Sequence, residues 1–474
     1  MTDTIYNNAI LCAALSFAED KIRPNQTSDK GKFLSSLALV LNGTATCTAV
    51  YVHHTEKLVF IARNESITET DRLYFDRFFR QIRIYAGVCF DADKTETVQE
   101  IDDQLRSLVL EYNWTKINNR LLDRKKLIAD KLAQLAQSNT DEKLLCLNEL
   151  QSNRTSYTVK PSRSERIHLM MRKRTDEDYV QFLFETLDRF LHARDRSIAK
   201  QEHEQLLTAT RQATLLYESR LFRYVLSRLD ATTGRGVHYF EKASGHYRAI
   251  DLFLKCLMAQ KDRFLDIYKT ISWKLIEPIE EMRPLLVTPK QAFERIFEDL
   301  QQSFKSSMTS QEFYAEHLQK LDRFEEDPVY HGHMHAEIVL IDYLLANGIN
   351  GVQSSHEVEI GISKMSCLLC SYYIEELNKK HQRCFCSSDS THGKVYPKWA
   401  HRKGEDECIL NVINQKLVDK LLRAIRKVCV DSDRADPLKS GDSDIMWTSL
   451  EAEQFDAECF KRFYPSRYLR RRPD

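Results

Sequence analysis

Four side chains between positions 335 and 370 have types and spacing suited to hydrolytic chemistry: His335, Glu337, Cys367 and Cys370. One imidazole and two thiolates suit a tetrahedral zinc ion and leave its fourth position open to water, as in catalytic rather than structural sites. Cys367 and Cys370 are three residues apart, so on a helix both sulfurs share a face. The positive end of that helix favours the thiolate. Glu337 follows His335 by two positions and can stand over the open position without being a ligand. Zinc lowers the pKa of water from ~16 toward ~7. The reaction expected of this set is attack of that water on the amidine carbon of a nucleobase, with Glu337 carrying protons to the ring nitrogen and then to the departing ammonia. The apolar neighbours Ile338, Val339 and Leu340 are expected to raise the Glu337 pKa toward a value that serves both roles.

These residues need elements to hold them. The spacing predicts a helix from about His335 to the Asn347-Gly348 pair, a strand in 356–363, a helix over 366–380, a short strand in 382–390 and a helix from about 405 to 430. Helix and strand in alternation imply an α/β sheet that leans parallel. Upstream, residues 5–20 and 31–42 have helical spacing. Thr46–Val52 and Lys57–Ala62, joined by a short polar turn, read as a β-hairpin. From 66 to 325 the pattern is that of amphipathic helices, interrupted at 151–174 by a basic, irregular connection. Residues 431–474 read as a polar tail ending in Arg467, Arg470, Arg471 and Arg472.

Composition narrows the function classes. Lys plus Arg equals Asp plus Glu, 69 each among 474 residues, so no overall field attracts nucleic acid or an anionic membrane, and any such contact is local. Only 13 Gly and 10 Pro favour helices over a loop-rich β fold. Twelve cysteines in a chain this long do not make a disulfide scaffold. No apolar run is long enough to cross a bilayer, and the first residues do not have the pattern of a secretory leader. The expectation is a cytoplasmic protein with no membrane span.

Three motifs together resemble the cytidine-deaminase-like superfamily and, within it, the OTT-like deaminase family: HAE at 335–337, GISKMSCLLC at 361–370 and THGKVYPKW at 391–399. The resemblance implies an α/β fold, a cytidine-deaminase-like mixed sheet flanked by helices, with a large α-helical insertion. It implies a β-hairpin ahead of the His-x-Glu helix, and the hairpin that fits lies far upstream, ending at Asn64. The expected division is therefore 1–64 and 329–430 as the zinc-binding deaminase core, 65–328 as the helical insertion and 431–474 as the tail. By the same resemblance Asn64 contacts substrate. Ser366 stands where many members have Pro and offers a hydroxyl. His392 and Lys394 line the pocket, and Trp399 stacks on a base. The cofactor is zinc, and the substrate a nucleobase in a nucleotide, RNA or DNA.

Competing readings have their own residues. The helical region offers a surface for a protein partner, which would make the chain a scaffold with a purely structural zinc. Alternating His331, His333 and His335 resemble a His-x-His metalloprotease motif, but no Ser lies between His335 and Asp342. Cys384 and Cys386 share a strand face and could approach the zinc or a second metal. The basic stretches 160–174 and 467–472 could hold phosphates.

Overall fold

A computed structural model describes residues 2–14, 29–88, 95–122, 148–149, 176–200, 202–229, 235–259, 267–284, 287–301, 314–315, 318–319, 321, 329–349, 358–381, 385–387, 391–402 and 407–431. These are mostly helical, with two small mixed sheets. They group into two compact units. The described residues up to Phe75 and from Thr270 to Asp431 make one, and those from Asp76 to Lys269 the other. In chain order the elements are α1 (Thr2–Ala14), α2 (Asp29–Val40), β1 (Thr48–His53), β2 (Leu58–Arg63), α3 (Glu69–Val88), α4 (Thr95–Tyr112), α5 (Trp114–Leu121), α6 (Asp176–Lys200), α7 (His203–Glu218), α8 (Arg220–Leu229) and α9 (Arg235–Ala259). There follow β3 (Ser272–Ile276), β4 (Glu280–Pro284), α10 (Pro289–Gln301), β5 (Val329–Met334), α11 (Ala336–Ala346), β6 (Val358–Ile362), α12 (Leu368–His381), β7 (Phe385–Ser387), β8 (Trp399–Ala400) and α13 (Glu407–Asp431).

The first unit carries both sheets. β1 and β2 form the expected hairpin, paired antiparallel from Thr48↔Arg63 to His53↔Leu58. The turn between them ends on Lys57 at φ 54, a left-handed backbone uncommon outside glycine. The five-stranded sheet runs β3-β2-β1-β6-β7. β1 pairs antiparallel with β6, and β2–β3 and β6–β7 are parallel, so the sheet is mixed. Ser363 locks the β1–β6 register. Its hydroxyl accepts the Thr48 N–H at 2.9 Å, and its own N–H donates to the Thr48 carbonyl at 2.9 Å. Every residue of β6 is buried, as for a strand covered on both faces. α11 is apolar nearly all round, and Ile338, Val339, Leu340, Ile341 and Leu344 are all buried, the pattern of a helix inside a core. The smaller sheet, β4-β5-β8, places β5 between an antiparallel and a parallel neighbour.

The second unit is built from helices around Leu183, Leu187, Phe190, Leu216 and Phe240. Inside it the buried Arg106 guanidinium is paired with Asp102 at 2.9 Å and Asp251 at 3.0 Å.

The expected helical span 65–328 also holds strands. From Thr270 its described residues belong to the first unit and include β3 and β4. Both strands are five residues long, and β4 is dominated by Glu280, Glu281 and Arg283. Pairing with β2 and β5 makes them strands, and β4 has no apolar periodicity of its own. The basic connection 151–174 and the arginine-rich tail lie outside the described residues.

Gly361 marks the tightest approach in the first unit. A Cβ there would sit 2.2 Å from the Leu34 carbonyl carbon in α2. Backbone cannot yield as a flexible side-chain tip can, so Gly361→Ala should cost about 1–3 kcal/mol, the usual range for overpacking, in a denaturant melt of the metal-free protein. An unchanged midpoint would show that α2 is not seated on β6.

Candidate active site

Two helix beginnings build the site. His335 is the residue just before α11, with extended backbone (φ −70°, ψ 151°). Its carbonyl accepts the Ile338 and Val339 N–H groups at 2.8 and 3.0 Å, while its ring makes no cap hydrogen bond and is left for other work. The cap is supplied from the hairpin instead. Asn64, immediately after β2, accepts the Ala336 N–H on Oδ1 at 2.7 Å, satisfying one of the orphan donors of the helix start. Cys367 stands in the same place before α12, and its Sγ accepts the Cys370 N–H at 3.3 Å. A sulfur in a capping position meets the positive end of the helix dipole.

These two starts bring three donors together. His335 Nδ1 lies 3.4 Å from Cys367 Sγ and 3.3 Å from Cys370 Sγ. All three residues are buried, and their ligand atoms lie within 4.8 Å of one another. Across a tetrahedral zinc, ordinary Zn–N and Zn–S bonds would leave such atoms about 3.6 Å apart, so the set fits that ion closely.

The electrostatics suit a metal as well. Burial works against the Cys367 thiolate, but hydrogen bonds from Cys370 and the His335 charge bring its pKa well below that of an ordinary thiol. Burial and the neighbouring Cys367 charge push Cys370 the other way. Burial also disfavours the imidazolium of His335, yet Cys367 and Glu337 outweigh it and leave the pKa at about 9. Glu337 is 2% exposed. Burial raises its pKa, the His335 charge opposes and Cys367 adds to the rise. Its Oε2 is buried with no hydrogen-bond partner, a costly arrangement.

The remaining expected residues divide. Ser366 is buried, with Oγ unpartnered, and its carbonyl accepts the His392 N–H at 3.1 Å. His392 is half-buried at the edge of the site, and burial, first of several effects, lowers its pKa. Trp399 requires a correction: it is 0% exposed, on the two-residue strand β8, with its ring edge-on to Tyr373. A side chain sealed in the core cannot stack on a base. The exposed ring of that motif is Tyr396, which sequence reasoning passed over. It stands edge-on to His335 at 5.8 Å and to His392 at 5.5 Å between centroids. No pattern in the sequence separates the exposed Tyr396 from the buried Val395 beside it. His333 is half-buried with its ring 5.6 Å from that of His335, whereas His331 is exposed. Cys384 lies outside the described residues, and of Cys386 only the backbone, in β7, is described. Among the described residues His335, Cys367 and Cys370 are the one cluster able to hold a metal.

Residues 334–402 match the family model of the OTT_1508-like deaminases. This is a cytidine-deaminase-like family, and the match takes in under a sixth of the chain. No curated protein and no solved structure matches the chain. The deaminase-like stretch begins one residue before His335 and ends three after Trp399, so it contains the whole His-Cys-Cys cluster and Glu337 but neither Asn64 nor the hairpin.

Two measurements check this description. Asn64→Ala removes the cap of α11 and should cost about 1 kcal/mol of stability, read as a lower unfolding midpoint with secondary structure unchanged. The folded-state pKa of Glu337 lies above its ordinary 4.5. Holding the carboxylate ionised therefore opposes folding once pH rises through that region, and the penalty vanishes when the group is protonated in both states. Metal-free Glu337→Gln should accordingly melt higher than the parent at pH 7, with the gap closing toward pH 4. A gap that widens on acidification would contradict the assigned burial.

Proposed function

We propose that the chain is a zinc-dependent hydrolytic deaminase of cytidine-deaminase-like fold, acting on a nucleobase in a nucleotide or nucleic acid. The observation that carries this reading is a three-donor cluster of one imidazole and two sulfurs beside a buried carboxylate whose Oε2 has no partner. The deaminase-family match over the same residues supports it.

His335, Cys367 and Cys370 hold the metal. When bound, zinc supplies the Lewis acidity that makes water ionise near neutral pH. Glu337 then has the proton work. Its raised pKa lets it accept a proton from water and return it to the ring nitrogen and to the leaving amine. Water oxygen forms a bond to the amidine carbon, the carbon–nitrogen bond breaks, and the products are the oxo base and ammonia. Asn64 has its Oδ1 occupied by Ala336, so its substrate contact falls to Nδ2. The Ser366 hydroxyl and the His392 ring offer further polar contacts from the side of α12. Burial of the donor set excludes bulk water from everything but the reacting position.

The test is metal content together with turnover. Zinc-loaded wild type should bind one equivalent and release ammonia from at least one nucleoside, nucleotide or single strand. Glu337→Ala should keep the zinc and lose about 10²–10⁴-fold in rate. Cys367→Ser should lose zinc and, because binding is coupled to folding, stability. Full turnover by Glu337→Ala would leave the cluster as a structural metal site.

A further inference from the structure

The segment 391–399 is held to both halves of the metal cluster. The Leu368 N–H, next to Cys367, donates to the Lys394 carbonyl at 3.0 Å. The His333 N–H, two residues before His335, donates to the Lys398 carbonyl at 3.0 Å. Val395 and Trp399 anchor the segment in the core, while Lys394, Tyr396 and Lys398 are exposed. Among the described residues Tyr396, at 44% exposure, is the one aromatic ring among the exposed large hydrophobics. It stands at the cluster, edge-on to His335. Neither lysine is paired with a carboxylate among the described residues, and Lys364, on the loop between β6 and Cys367, is exposed and likewise unpaired.

We propose that Lys394, Tyr396 and Lys398 form a selecting rim over the metal cluster, in which the Tyr396 ring stacks on the substrate base and the two ammonium groups take its phosphate. The inference rests on the deaminase reading for the identity of the reacting group and extends it to specificity: the substrate is a phosphorylated nucleoside, not the bare nucleoside. An exposed aromatic face is a platform for any base, since every base has a π-face. A lysine on either side supplies the compact, rotatable charge that phosphate binding uses. The balanced net charge of the chain makes this a local device and not a general field.

The experiment measures binding by calorimetry on zinc-loaded Glu337→Gln protein, so that affinity is read without turnover. The ligands are cytidine, adenosine and guanosine, each beside its 5′-monophosphate and a short single strand rich in that base. The expected result is at least one base for which a phosphorylated form binds about tenfold or more tightly than the nucleoside. That advantage should shrink with added salt. Lys394→Ala/Lys398→Ala should abolish it while leaving nucleoside affinity in place. Tyr396→Ala should weaken nucleoside and nucleotide alike by about tenfold, and Tyr396→Phe should restore both, with zinc content unchanged throughout. A monophosphate that binds as tightly as the strand assigns the rim to free nucleotides, and binding of the strand alone assigns it to polymer. Equal affinity for nucleoside and phosphorylated forms, survival of the advantage in the double alanine variant, or no binding of any ligand overturns the rim. Phosphate preference in Glu337→Gln with no ammonia released by wild type would overturn the deaminase reading and leave the rim standing. Turnover without that preference would do the reverse.

Discussion

Burying charge is the constraint around which the first unit is arranged. His335, Glu337, Cys367 and Cys370 are all shielded from water, and each buried ion costs several kcal/mol unless something nearby replaces its hydration. The protein meets this with two helix N-termini. His335 and Cys367 immediately precede α11 and α12, so the positive ends of two helix dipoles meet at the cluster. Bringing two such ends within 3.4 Å through their side chains requires a rigid support. The order β2-β1-β6-β7 supplies it, with β6 leading into Cys367 and the hairpin delivering Asn64 to the start of α11.

The same constraint makes the cluster suited to a metal. Burial and the neighbouring charges lower the Cys367 pKa and raise those of Cys370, His335 and Glu337, and one Glu337 oxygen has no partner. A divalent ion held there would offset the cost of burying the sulfurs and the imidazole. The core beneath, with Ile338, Val339, Leu340 and Leu369 all at zero exposure, cannot rearrange to let water in instead.

What could be read from the sequence was what depends on spacing alone. The Cys-x-x-Cys and His-x-Glu intervals place their side chains wherever helices begin, and both beginnings fall where the motifs put them. The hairpin was legible because β-branched and aromatic residues alternate there around a polar turn. β3 and β4 were not, because partners distant in the chain create them, and Glu280, Glu281 and Arg283 carry no apolar period of their own. The two aromatics of the 391–399 motif show the same limit. Nothing in the order of residues says that Trp399 turns inward beneath Tyr373 while Tyr396 turns out. A two-residue strand paired with β5 decides it. Asn64 was expected beside substrate, but the bond it makes to the Ala336 amide is a packing detail beyond the reach of any motif.

The Thr48–Ser363 clamp joins residues 315 apart in the chain. A ribosome adding roughly 5–20 residues per second needs tens of seconds to supply the second partner after the first has emerged. During that interval the β1 edge of the hairpin has no β6 to close it, while the residues of the second unit are synthesised. Such contacts at long sequence separation form slowly, so the site that needs β6, α12 and the 391–399 segment is completed last. Nascent chains stalled before residue 358 would hold an unfinished sheet, and in that state the bare strand edge is the feature for which a chaperone would compete.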